Sequence, residues 1–353
     1  MPTPSQPRRA HLADGREILY FDDAGSPPRE APPDPRSLPP REEPAELRWD
    51  RLVDEWVIVA GHRQARTFLP AASECPLCPS RDGRHSEVPA DEYDVAVFEN
   101  RFPSLPAAAP GETPHGRCDV VVYSSDHDAS FAGLPEARLR TIAAAWAQRT
   151  AELSAEPGVA SVFVFENRGV EIGVTLHHPH GQVYAYPFVP PRLERMLVGA
   201  RRHEADGCLG CALLADELAD GERVIAQSEH AVAYVPLAAR WPFEIHLVPR
   251  RHVPDLAALA ENERDGLIVL EADLLRRLDR LFEVPAPYMA GWLQAPTGDG
   301  RDLGHLRLEI ASPRRAADKL KYLAGSESLA GAWINDIRPE EAARRLRDAG
   351  GET

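Results

Sequence analysis

Apolar and polar positions alternate with period two in a series of short runs, which is the mark of half-buried strands. Glu17–Phe21 is a short strand after an Asp14-Gly15 turn, and Trp56–Val59 is another, with Gly61 opening the turn behind it. Tyr93–Phe102, Asp119–Tyr123 and Ser161–Glu166 follow in the first half, and Ala231–Val235, Glu244–Val248, Tyr288–Gln294 and His305–Ile310 in the second. Between them the period lengthens. Leu139, Ile142, Trp146 and Leu153 recur at helical spacing behind Pro135, so 134–153 is a helix with these residues in its core face. A second long helix spans about 256–282, and a short one with alternating charges, 339–347, closes the chain. Residues 1–10 are polar, and 25–44 are rich in proline and charge, which predicts a linker or surface wrap without helix.

The order of these elements repeats. Cys208-Leu-Gly-Cys211 answers Cys75-Pro-Leu-Cys78, Ala231–Val235 answers the strand at 93–98, and Glu244–Val248 followed by His252 answers 119–123 followed by His127. A helix, a strand and the run His305–Ile310 complete the second copy. Two copies of one α+β unit is the expected architecture.

Length and charge narrow the class. The 353 residues suffice for two domains, and 43% hydrophobic content predicts a packed core. A net charge of −15 argues against nucleic acid as the main partner, yet a single nucleotide needs only a few local cations. Neither a membrane-length apolar run nor a signal-peptide core is seen, so a cytoplasmic protein without a membrane partner is expected. In that reducing setting the paired cysteines point to a metal before a disulfide, with Cys118 left over.

The chemistry concentrates in Thr175-Leu-His-His-Pro-His-Gly-Gln-Val-Tyr-Ala-Tyr186, which follows the polar end of a strand (Phe165-Glu166-Asn167) and two turn glycines, Gly169 and Gly173. In an extended segment His178, His180 and Gln182 leave on one face. An imidazole can ligate a metal, carry a proton or act as a nucleophile, and a carboxamide can donate to a phosphoryl oxygen without adding charge. The plain reading is a solvated, histidine-rich strand; the rest of the chain argues for a site.

His-Pro-His-Gly-Gln after a Phe-Glu-Asn run resembles galactose-1-phosphate uridylyltransferase, the transferase branch of the histidine-triad superfamily, and the resemblance extends from about Leu12 to Arg347. It implies two tandem histidine-triad-like domains, an antiparallel sheet with helices packed on it. The expected division is an N-terminal strand and linker (1–45), a catalytic domain (46–190) and a C-terminal domain with a sugar-binding loop (191–353). It implies a structural zinc held by Cys75, Cys78, His127 and His178, with no open position for water. His180 would be the catalytic nucleophile, assisted by Gln182. Arg63, Arg66 and Thr175 would grip phosphates, Asn100 and Phe102 the uracil and ribose, and Asn167 the α-phosphate or His180 itself. Arg101 stands where some relatives carry an acidic residue. Lys321 and Glu327 would reach the hexose phosphate in a neighbouring subunit's site, implying a homodimer; Ser326 and Trp333 replace a Tyr and a Gln of some relatives' sugar pockets.

The second copy lacks a His-x-His-x-Gln, and the iron-type site of other members is not expected, because Leu293, Glu309 and Ala311 are not histidines. Cys208, Cys211, His252 and Glu309 are the expected substitute metal set. The implied reaction exchanges UMP between UDP-glucose and galactose 1-phosphate through a uridylyl-histidine. The rival readings are a histidine-triad hydrolase or phosphorylase acting on another nucleotide, and a metal-stabilised binding module. Gln182 argues against simple hydrolysis, since such hydrolases usually carry a third histidine there.

Overall fold

Strands whose alternate residues are apolar must cover one face, and here two long helices do so. The computed structural model describes residues 6–39, 45–65, 68–81, 83–105 and 116–351. β1 (Arg8–His11) and β2 (Glu17–Phe21) form a hairpin, and β3 (Glu46–Asp50) pairs with β4 (Glu55–Val59) as a separate one. β5 (Val95–Glu99), β6 (Arg117–Val122), helix α1 (Glu136–Ser154), β7 (Ser161–Arg168) and β8 (His180–Tyr186) complete the first half. Helices α2 (Pro191–His203) and α3 (Leu209–Asp220) lead into the second. It contains β9 (Val224–Gln227), β10 (Ala231–Tyr234), β11 (Phe243–Pro249), α4 (Glu261–Arg280), β12 (Tyr288–Leu293) and β13 (Arg307–Ser312). A small hairpin, β14 (Arg314–Ala316) with β15 (Lys319–Leu320), then α5 (Gly325–Ala330) and α6 (Pro339–Asp348), finish the chain.

Eleven strands among the described residues form one sheet, in the order β1-β2-β5-β6-β8-β7-β12-β13-β11-β10-β9, with every neighbour antiparallel. The order is palindromic about the β7–β12 seam: β5, β6, β8 and β7 are mirrored by β10, β11, β13 and β12. This is the expected pair of α+β units, fused into a continuous sheet.

Helices α1 and α4 pack together across one face. Leu139, Ile142, Trp146 and Leu153 are buried there as their spacing predicts, against Val121, Val183, Leu308 and Ile310 of the sheet. Arg149 of α1 reaches down to Asp119 at 2.8 Å, a buried ion pair tying the helix to β6. The helix ends fall inside the expected range of 256–282, because a short turn at 256–258 precedes α4 and Ala260 breaks them apart. The residues of 25–39 carry neither helix nor strand and wrap the sheet edge through Arg29–Asp94 and Arg36–Glu87 ion pairs. Helices α2 and α3 were not anticipated; few of their side chains are buried, so the core stripe is weak. No helix of the described residues is long and apolar enough to cross a membrane.

Candidate active site and metal clusters

The opposite face of the sheet carries the cavity and its polar lining. Even-numbered residues of β8 face it while Val183 and Ala185 enter the helical core. Strand alternation therefore places His180 and Gln182 together in the wall of a cavity of about 470 Å³. Arg63, Asn100, Phe102, Asn167 and Thr175 line the same cavity. Arg66 lies outside the described residues. Lys321 and Glu327 do not line it; they pair with each other at 2.8 Å in the loop after β15.

Beneath β8 the donor atoms of Cys75, Cys78, His127 and His178 all lie within 4.8 Å of one another. The Cys78 Sγ is 3.3 Å from His127 Nδ1 and 3.4 Å from His178 Nδ1. Bonds of about 2.3 Å to sulfur and about 2.0 Å to nitrogen put tetrahedral ligands about 3.5 Å apart, so the set fits a closed four-ligand metal centre. The outer hydrogen bond agrees. His178 Nε2–H donates to the Ser124 carbonyl at 2.7 Å, which leaves the Nδ1 lone pair for the metal.

Two residues on, the chain enters β8 at His180. Its Nδ1–H donates to the His178 carbonyl at 2.7 Å, so Nε2 is the unprotonated nitrogen. Burial lowers the proton affinity of this imidazole and the carbonyl hydrogen bond opposes the shift; the net direction is down from the ordinary value. Next to it only glycine fits: a Cβ on Gly181 would lie 1.9 Å from the Tyr123 hydroxyl. Gln182 Oε1 accepts from the Tyr184 hydroxyl at 3.1 Å, which turns its NH₂ group away as a donor. The Arg63 guanidinium donates to the Phe102 carbonyl, tying the turn after β4 to the end of the β5 segment. Asn100 Oδ1 accepts from the Phe102 amide at 2.9 Å, so Asn100 shapes the loop as well as lining the cavity. The sequence reading missed Glu87, Phe98 and Leu77 in the same wall. Leu77 could have been found, since it sits inside the first Cys-x-x-Cys.

The second half repeats the metal cluster with one correction. Cys208, Cys211 and His252 gather with His305, not with Glu309. The His305 Nδ1 is 3.7 Å from Cys208 Sγ and 3.5 Å from Cys211 Sγ, and His305 Nε2–H donates to the Pro249 carbonyl at 3.0 Å. His305 thus copies His178, outer hydrogen bond included. Glu309 is two residues into β13 from its start and is claimed elsewhere, by Arg192, Arg307 at 3.0 Å and His246 at 3.5 Å. The signal was in the spacing: His305, Arg307 and Glu309 follow one another as His178, His180 and Gln182 do.

Two half-sheets mirrored about one seam, each with a Cys-x-x-Cys and two histidines under its central strand, define a protein of the paired histidine-triad type. Residues 39–190 match the family described as galactose-1-phosphate uridyl transferase, N-terminal domain, and residues 201–351 match its C-terminal domain. The galactose-1-phosphate uridylyltransferase of Streptomyces lividans is 45% identical over 96% of each chain. That of Thermotoga maritima is 40% identical, covering 86% of this chain and 98% of its own. A solved structure of a uridylyltransferase superposes with a TM-score of 0.77 at 31% identity, over 86% of this chain and 98% of that one. The chain belongs to the galactose-1-phosphate uridylyltransferase family.

Proposed function

We propose that the protein exchanges UMP between UDP-glucose and galactose 1-phosphate by double displacement at His180. The observation that carries this is the His180 Nδ1–H bond to the His178 carbonyl, which leaves Nε2 as a nucleophile in the wall of the cavity. In the first step the Nε2 lone pair attacks the α-phosphorus of UDP-glucose. The bond from that phosphorus to the bridging oxygen breaks, and glucose 1-phosphate leaves with the electron pair. In the second step a phosphate oxygen of galactose 1-phosphate attacks the same phosphorus, the phosphorus–nitrogen bond breaks, and His180 recovers its lone pair.

Transfer at phosphorus gains most from positioning and charge neutralisation. Arg63 and the Gln182 NH₂ supply cationic and neutral donors to the phosphoryl oxygens, with Thr175 and Asn167 in the same wall. Arg66 is assigned to the phosphates with them by the resemblance alone. Asn100 and Phe102 serve the nucleoside. Cys75, Cys78, His127 and His178 are the ligand set for a structural zinc, and Cys208, Cys211, His252 and His305 for a second. Four protein ligands leave no position for water, so the metal supplies rigidity to the strand that carries His180. Thiolate ligands suit a reducing, cytoplasmic setting.

The catalytic unit is assigned to 46–190, with 1–45 as its N-terminal wrap and 191–353 as the domain bearing the sugar loop. Lys321 and Glu327 are assigned to the hexose phosphate and hydroxyls of a second subunit's site. The exposed apolar side chains around them, Tyr322, Leu329 and Ile334, support a homodimer, as do Trp49, Leu52 and Trp56 on the β3–β4 hairpin. Sedimentation as a single 38.9 kDa species at micromolar concentration would refute the dimer.

The deciding experiment mixes the protein with UDP-glucose and galactose 1-phosphate and separates the nucleotides. UDP-galactose and glucose 1-phosphate are the expected products, and His180→Ala should lower their formation by a factor on the order of 10⁴ or more. Release of UMP instead would make water the acceptor and overturn the transfer reading.

A further inference from the structure

Glu87 is the one carboxylate among the described residues lining the active-site cavity. A carboxylate repels phosphate, so its place is away from the diphosphate. It is also built in. Its Oε2 accepts from Arg16 at 2.6 Å and its Oε1 from Arg36 at 2.6 Å. The Arg16 side chain is fully buried and Arg36 nearly so, and each is held in turn by a second acid, Asp14 or Asp34, at 2.7 Å. The Glu87 amide donates to the Pro76 carbonyl at 2.9 Å, inside the first Cys-x-x-Cys. Three segments distant in sequence therefore fix one carboxylate in the cavity wall before any ligand arrives.

Each carboxylate oxygen has two acceptor sites, and the arginines account for one on each. Arg101 lines the same cavity, partly exposed, with its guanidinium 3.8 Å from Glu87 Oε1. That is too long for a hydrogen bond, so the pair offers an acceptor and a donor side by side. The adjoining wall is apolar, formed by Pro76, Leu77 and Phe98, and suits a flat base. His180, Gln182 and Arg63 mark the phosphate end. Of the donors near the base of a nucleotide sugar, the ribose 2′- and 3′-hydroxyls are an adjacent pair, one for each carboxylate oxygen, whereas a uracil ring offers a single N3–H.

We infer that Glu87 is a specificity-determining residue that accepts hydrogen bonds from the ribose 2′- and 3′-hydroxyls, with Arg101 donating to the hydroxyl oxygens, so that the site selects ribonucleotides over 2′-deoxyribonucleotides. This rests on the proposed reading of the cavity as a nucleotide-sugar site.

The test compares UDP-glucose with 2′-deoxy-UDP-glucose. A hydrogen bond to a charged acceptor predicts that the wild type favours the ribonucleotide in kcat/KM by roughly ten- to a hundredfold. Glu87→Gln keeps the volume and should cut that preference to within about threefold, chiefly by lowering kcat/KM for the ribonucleotide. Arg101→Ala leaves the Arg16–Glu87–Arg36 clamp untouched; it should narrow the preference less, which keeps the test sound if the Glu87 variant folds poorly. Equal use of both substrates by the wild type, or an undiminished preference in both variants, would overturn the assignment. Absence of turnover with either substrate would instead sink the transferase reading. Calorimetric titration with UMP and 2′-deoxy-UMP then decides the ribose contact, equal affinities counting against it.

Discussion

The two halves of the molecule keep the same set of two cysteines and two histidines, able to hold a metal ion, and differ in what stands beside it. In each, a histidine directs one ring nitrogen to two cysteines and gives the other ring N–H to a backbone carbonyl, Ser124 in the first half and Pro249 in the second. Two and four residues on, the first half has His180 and Gln182, and the second has Arg307 and Glu309. Arg307 donates to Glu309, whose other oxygen meets Arg192 of α2. The cavity there is about 240 Å³ and is walled by Leu193, Met196 and Leu197 of α2, where the first half holds about 470 Å³. An imidazole with a free lone pair can attack phosphorus; a guanidinium locked to a carboxylate cannot. The two halves share the cluster of Cys and His side chains, and only the first pairs it with an imidazole, a carboxamide and the larger cavity.

The sharpest way to break that comparison is to remove one metal ligand from each half. Cys78→Ser should lose one metal equivalent of two per chain and lower transfer at least about a hundredfold, because a shift of about 1 Å in the strand of His180 misaligns the nucleophile. Cys211→Ser should also lose one equivalent and lower the melting temperature, with kcat within about threefold of wild type. Metal content by plasma emission and steady-state rates check both. Equal losses of activity would mean that the second cluster also shapes the catalytic strand, and a wild-type content near one would remove the second centre.

A smaller effect is expected at the seam that joins the halves. Glu166 on β7 is buried and accepts from the Tyr288 hydroxyl of β12 at 2.7 Å. Burial pushes its carboxyl up to about 7, although the Tyr288 hydroxyl and the Arg168 charge act the other way. An acid whose folded value is raised contributes its stability below the unfolded value near 4.5 and loses it as pH rises through 7. The wild type should therefore lose about 1 kcal/mol from this group between pH 6 and pH 8, and Glu166→Gln should not. Denaturant titrations of both proteins at the two pH values check this; parallel pH profiles would show that Glu166 ionises as freely in the folded chain as in the unfolded one.

Much of this was legible because it is local. Period-two alternation located β5 to β8 and β10 to β13 within a few residues, and helical spacing chose the buried face of α1 correctly. His180 and Gln182 share a face for the same reason, while His178 lies in a bend before β8 and joins the cysteine cluster. Most misses are long-range. One is not: Glu309 is the expected ligand of the second cluster, whereas His305, spaced from Glu309 as His178 is from Gln182, joins the cysteines and His252. Glu87 sits in a stretch with no strand or helix pattern, and only the arrival of Arg16 and Arg36 from the N-terminal wrap makes it part of a wall. Lys321 and Glu327 pair with each other in the single chain, and nothing in their spacing says which cavity they serve.

What the sequence by itself determined is the repeat, the strand periods, the two Cys-x-x-Cys knuckles and the histidine strand, because backbone geometry converts spacing directly into a shared face. The tertiary structure alone decided which carboxylate enters the cavity and why one half has the larger cavity. Those outcomes depend on which strands become neighbours and which helix lies over them, and neighbours brought together by folding leave no period in the chain.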